Sequence, residues 1–240
     1  MPRVSDRLVR DFGERREVVL ERIGEAARRA GRDPATVTLV AVSKTHPAQV
    51  VQAAIDAGLT VLGENRVQEA VDKVAATRGG TWHLIGPLQA NKARKAIEAV
   101  DMIESVDSLE LAQRLDRIAG EVRPGTRLAV LLQVNVADDP SKAGFSPDDA
   151  TGTLDALLAL PNLRVDGLMT IGRLVDEPEE SRPTFVALRE LGERLRTRDP
   201  RLGPHLSMGM SDDYPVAIEE GATIVRVGRA LFGERPPPGA

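Results

Sequence analysis

The chain has 240 residues, no cysteine and only three histidines, with a net charge of −4 and 2% aromatic residues. The absence of thiols excludes disulfides, thiolate nucleophiles and zinc–thiolate sites. The scattered His46, His83 and His205 have no spacing for an all-imidazole metal site, and a mildly acidic, aromatic-poor chain lacks the basic footprint and stacking platforms of a nucleic-acid binder.

Residues 4–30 carry Leu8, Phe12, Val19, Ile23 and Ala27 at three- and four-residue steps, the pattern of a long amphipathic helix stopped at Gly31. Residues 37–42 (VTLVAV) form an apolar run rich in β-branched residues, as expected of a strand covered on both faces. Pro47 then opens a helix that Gly58 ends. A strand at 60–62, a helix at 66–76, a strand at 82–85 and a helix around 91–99 follow. The strand at 102–105 leads to a helix capped by Ser108 and running to Gly120. The remaining pattern is strand 127–134, helix 147–160, strand 163–169, helix 182–197, strand 205–207, helix 212–220 with Ser211 as its N-cap, and strand 223–227. A short pattern closes at Gly233, and the proline-rich residues 236–240 read as a solvated tail.

Residues 1–10 are charged and lack the apolar core of a signal peptide. The most apolar run, 128–134, falls far short of the roughly 20 residues of a membrane helix. The expectation is a cytoplasmic protein with no membrane or nucleic-acid partner. Eight strands alternate with helices, their ends near 44, 65, 85, 105, 135, 169, 207 and 226. Steps of roughly 20 to 40 residues fit one continuous (β/α)8 barrel of the TIM type, with the N-terminal helix at 1–31 packed on it and no second domain. The rival, a doubly wound sheet, wants a glycine-rich turn after its first strand, and the residues there are Ser43, Lys44, Thr45 and His46.

Polar residues gather where the strands end: Lys44, Glu64 and Asn65, His83, Ser105, Asn135, Thr170, Ser207, Arg226 and Gly228. In a parallel barrel these ends converge on the active mouth. A lysine just after VTLVAVS suits an amine that attacks an aldehyde, although a surface loop lysine is the plainer reading of position alone. The loop 207–213 and the turn around Gly228 follow strands seven and eight, where barrels hold phosphate, and Gly209 lets the backbone approach a ligand. Either glycine could equally serve a tight turn. Arg226, inside a β-branched run, points to a ligand or to an internal ion pair with Glu64 or a similar acid.

Six segments taken together carry a family resemblance: 40–45 (VAVSKT), 63–69 (GENRVQE), 82–89 (WHLIGPLQ) with Asn91 and Lys92, 167–170 (GLMT), 207–212 (SMGMSD), and 225–228 (VRVG) continuing through Phe232 and Gly233. In this order they resemble the pyridoxal phosphate homeostasis protein family, whose barrel is of the alanine racemase N-terminal type. The resemblance implies a protein that binds pyridoxal 5′-phosphate (PLP) and buffers or delivers it without defined turnover. It implies a Schiff base (internal aldimine) on Lys44, with Asn65 beside the cofactor and Arg226 at the pyridine nitrogen. Ser207, Gly228 and the backbone of Arg229 would surround the phosphate. The expected partners are PLP and PLP-dependent apo-enzymes, and the expected state is a monomer or weak dimer. One departure is Arg66, where many members carry tyrosine. The alternatives are a PLP-dependent amino-acid racemase, which would need a second base from a further domain, a Schiff-base aldolase, whose lysine would sit on a middle or late strand, and a pure interaction protein.

Overall fold

The computed structural model describes residues 4–172 and 175–233. Eight parallel strands close on themselves in chain order. They are β1 (Thr38–Val42), β2 (Val61–Glu64), β3 (Thr81–Leu84), β4 (Met102–Val106), β5 (Leu128–Gln133), β6 (Leu163–Met169), β7 (His205–Ser207) and β8 (Ile224–Val227). Outside them lie α2 (Ala48–Asp56), α3 (Val67–Ala76), α4 (Ala93–Ala99), α5 (Leu109–Val122), α6 (Pro147–Leu158), α7 (Arg182–Arg198) and α8 (Tyr214–Glu219). The chain is a (β/α)8 barrel. Among the described residues no helix is long and apolar enough to cross a membrane. The proposed tail at 236–240 lies outside the described residues.

The strands read as apolar runs because both faces are covered. Outward residues such as Ala41, Leu62, Leu84, Ile103, Val130 and Leu168 pack under the helices in the main core. Inward residues Val40, Leu131, Met169 and Ile224 form a separate cluster, with Val61 and Met102 against it. That cluster is an apolar floor inside the barrel, below the polar residues nearer the strand ends.

The helix α1 (Val4–Arg29) completes the ring. After β8 the chain makes only one turn of helix, α9 (Arg229–Phe232), in the short pattern that closes at Gly233. One turn cannot cover the seam between β8 and β1. Instead α1 packs between α8 and α2 and also touches α9. Its buried stripe is Phe12, Val19, Ile23, Ala26 and Ala27, and Arg32, just beyond it, donates to the Ile218 carbonyl at 2.7 Å.

Several boundaries differ from the sequence expectation. β1 starts at Thr38 rather than at residue 37 and ends at Val42, where the apolar run ends; the chain then turns at Thr45 with φ +69°. The last helix before β8 starts at Tyr214, and Asp213 occupies its N-cap position without a side-chain capping bond. Ser211 is therefore not the N-cap. Its hydroxyl is used elsewhere, as described below.

Candidate functional site at the barrel mouth

Closing the barrel brings the first strand beside the last. Thr38, Leu39, Val40 and Ala41 stand in register with Ile224, Val225, Arg226 and Val227. A Cβ on Gly228 would lie 3.6 Å from Val42 Cβ. The Lys44 turn and the turn that starts α9 therefore flank one another at the mouth, although they come from opposite ends of the chain.

Lys44 is half-buried and lies in a turn held on both sides. Before it, the Ser43 amide donates to the Gly63 carbonyl at 3.1 Å, and the buried Ser43 hydroxyl donates to Glu64 Oε1 at 2.6 Å. After it, the Thr45 amide donates to Glu69 Oε2 at 2.9 Å. Lys73, buried on α3, donates to the Ser43 carbonyl at 2.8 Å and to Glu64 Oε1 at 2.6 Å. Burial pushes the Glu64 carboxyl above its ordinary range, against the pull of Lys73 and Ser43. His46 stacks on Phe232 of α9 with ring centroids 5.0 Å apart, and Phe12 of α1 meets Phe232 edge-on at 5.1 Å.

Inside the barrel, above the apolar floor, five residues from five strands or strand ends form one polar chain. His83 Nδ1 lies 2.7 Å from Glu104 Oε1. Ser207 Oγ donates to Glu104 Oε2 at 2.5 Å and accepts from Arg226 Nη1 at 2.5 Å. Arg226 Nη2 donates to the Thr170 carbonyl at 2.7 Å, and the guanidinium comes within 3.8 Å of Glu104. Burial opposes the Glu104 carboxylate, but the bond and charge of His83, the charge of Arg226 and the bond of Ser207 outweigh it. Its pKa lies below the ordinary value. Burial pulls Arg226 down, against the charges of Glu104 and Asp213.

The acid facing Arg226 is thus Glu104. Glu64, the partner named from the sequence, is taken by Lys73 and Ser43. Nothing in the motif reading singled out Glu104, Lys73 or Glu69. The one available signal was alternation: Glu104 has inward parity in the run 102–106 (MIESV), where a charge must find a buried partner.

The two loops after β7 and β8 are joined to each other. The Gly228 amide donates to Ser211 Oγ at 3.2 Å, and the Arg226 amide donates to the Gly209 carbonyl at 3.1 Å. Asp213 braces the first loop, accepting from the Met210 amide at 2.7 Å and from Ser181 Oγ at 2.9 Å. Arg229 pairs with Asp212 on the surface. Gly209 has φ +90°, and a Cβ there would stand 2.6 Å from Ala217 Cβ. Asn65 follows β2, with its carbonyl 2.3 Å from where a Cβ on Gly86 would be. Arg66 is exposed and lies 3.9 Å from Glu69 Oε1.

Of the six residues singled out as a cofactor site, Lys44, Asn65, Gly228 and Arg229 therefore lie on the turns that follow β1, β2 and β8. Ser207 and Arg226 are linked just inside the barrel. A cavity of about 620 Å³, lined by residues including Leu88, Ser108 and Arg114, lies along α5 and shares no residue with this cluster.

The profile of the alanine racemase N-terminal domain matches residues 19–236. The chain is 50% identical to the pyridoxal phosphate homeostasis protein of Pseudomonas aeruginosa, over 90% of this chain and 93% of that one. The chain belongs to the pyridoxal phosphate homeostasis protein family. The solved structure of PipY from Synechococcus elongatus without PLP is 46% identical, with a TM-score of 0.79, covering 89% of this chain and 99% of that one. The structure of the same protein with PLP bound matches at 44% identity and a TM-score of 0.77, covering 88% of this chain and all of that one (100%). Alanine racemase of Corynebacterium glutamicum shares the fold at 18% identity and a TM-score of 0.70, the match covering 98% of this chain and 63% of the racemase.

Proposed function

We propose that this chain binds PLP at the carboxyl mouth of the barrel, through Lys44, and serves to buffer or deliver it. The observation that carries this reading is the closure of β8 against β1, which sets the Lys44 turn beside the Gly228–Arg229 turn. An amine and a set of backbone donors then face one small ligand from adjacent strands. The donor set suits PLP: an amine for the aldehyde, amides for the phosphate and a cation for the ring. PLP-bound PipY, a close relative, supports the same reading.

PLP supplies an aldehyde and an electron-withdrawing ring. Lys44 offers the nucleophilic nitrogen. Amides in the first turn of α9, at Arg229 and Ala230, have no acceptor within that helix and are suited to an anion. Gly228 is tied to Ser211, which keeps that turn and the 207–213 loop in one arrangement. Ser207 acts through Arg226, since its hydroxyl is spent between Arg226 and Glu104. Asn65 borders the same opening.

Arg226 carries donors only and holds its proton. Facing the ring nitrogen, it would withhold the protonation that strengthens an electron sink. Weak carbanion chemistry suits a carrier, and the relatives bear the name of homeostasis proteins. Handover to PLP-dependent apo-enzymes, a cytoplasmic site of action and a monomeric or weakly dimeric state belong to the same proposal.

The test is to mix purified protein with PLP, record the visible absorbance, reduce with borohydride and map the modified peptide. The expected result is a single adduct on Lys44 that Lys44→Ala abolishes. A protein that stays colourless and unmodified would defeat the proposal. Exchange of the α-proton of free amino acids by the loaded protein would replace the carrier with a racemase.

A further inference from the structure

We infer that Lys73, with Glu64 and Glu69, is a positioning unit that sets the direction and reactivity of Lys44; this rests on the reading of Lys44 given above. The peptide group on each side of Lys44 is gripped by this unit. On the N-terminal side, Lys73 Nζ donates to the Ser43 carbonyl at 2.8 Å, and Glu64 Oε1 accepts from the Ser43 hydroxyl at 2.6 Å. On the C-terminal side, Glu69 Oε2 accepts from the Thr45 amide at 2.9 Å and lies 3.5 Å from Lys73 Nζ.

The arrangement is costly as mere scaffolding. Lys73 has a side-chain exposure of 7% and Glu64 of 0%. Glu64 Oε2 is buried without a hydrogen-bond partner. An apolar pair of the same volume is often at least as stable as a buried ion pair. Thr45 is a β-branched residue in left-handed backbone, φ +69°, which persists only where its surroundings enforce it. Two contacts hold it: the His46 amide donates to the Ser43 carbonyl at 3.1 Å and closes the turn, and the Glu69 carboxylate accepts from the Thr45 amide at 2.9 Å. Strain and buried charge converge on the two peptide groups around Lys44, where placement of an amine has chemical value.

The experiment separates covalent capture from simple binding. PLP capture is followed by absorbance and borohydride trapping. Affinity for pyridoxine 5′-phosphate, which has the same ring and phosphate but no aldehyde, reports the cradle alone. The variants are Glu69→Ala, Glu69→Gln, and Lys73→Met combined with Glu64→Gln, which avoids leaving a buried charge alone. Capture should slow by roughly ten- to a hundredfold in Glu69→Ala and in the double variant. It should recover in Glu69→Gln, whose amide oxygen still accepts from Thr45, and pyridoxine 5′-phosphate affinity should stay at the wild-type level throughout. Wild-type capture rates in Glu69→Ala, or equal loss of both ligands, would overturn the inference. If the double variant does not fold, the Glu69 pair decides. If wild-type protein shows no adduct on Lys44, the functional reading itself fails, a result distinct from all of these.

Discussion

Ser207 Oγ bridges Glu104 and Arg226 inside the barrel, 2.5 Å from each. The hydroxyl gives its one proton to the carboxylate and receives one from the guanidinium. Two opposite charges 3.8 Å apart are thereby joined within a fully buried layer.

Glu104→Ala should be among the most damaging single substitutions in the barrel. It strands the Arg226 guanidinium in a dry interior, at an expected cost of about 3–5 kcal/mol. Because the folded carboxyl lies below its ordinary value of 4.5, its stabilising contribution is complete above that value. It is lost as pH falls through the lower folded value. Urea unfolding across acid pH should show this slope in wild type and a flatter one in Glu104→Gln. Identical slopes would count against the assignment.

His46 titrates with the same proton balance in a higher pH window. Burial and the nearby charge of Lys73 hold its pKa below the ordinary 6.5. The unfolded chain therefore binds this proton more readily, and stability falls as pH drops from about 6.5 toward the folded value. His46→Phe keeps an aromatic ring against Phe232 and removes the titration. Its melting temperature should change less than that of wild type over this window.

Gly209→Ala tests the loop after β7. A side chain at φ +90° is strained, and the added carbon would meet Ala217 Cβ at 2.6 Å. A loss of about 1–3 kcal/mol is expected in urea unfolding. Pyridoxine 5′-phosphate should bind more weakly, because the same loop carries Ser211. An unchanged affinity would detach this loop from the phosphate.

Ser211→Ala removes the acceptor of the Gly228 amide and leaves the glycine itself in place. One such hydrogen bond is worth about 1 kcal/mol. Pyridoxine 5′-phosphate affinity should fall roughly fivefold, with little change in melting temperature, since Ser211 is half-buried in a loop. Isothermal calorimetry on the two proteins gives the comparison.

Much of this architecture was legible in the residues alone. The strand at Leu163–Met169 and that at His205–Ser207 have the bounds read from the sequence. Ser108 caps α5 as expected, accepting from the Leu111 amide at 3.3 Å. Such features depend on neighbours a few residues away, and period and capping record them. Ser211 misled because Ser-Asp-Asp before an apolar stretch has the form of a cap. Its hydroxyl instead finds the Gly228 amide, which is close only after the barrel closes.

Local periodicity alone thus determined that eight buried strands alternate with helices, and alternation with a βα rhythm admits a barrel. The strand ends then marked a ring of polar residues, from which the family resemblance selected Lys44, Asn65, Ser207, Arg226 and Gly228 and to which it added Arg229. Only the tertiary structure decided that Arg226 faces Glu104, that Lys73 reaches past Glu64 to the Lys44 turn, and that α1 fills the gap beside α8. These are pairings across long stretches of chain. They follow from strand register and helix phase around a closed ring, and a buried charge accepts whichever partner that geometry brings within reach.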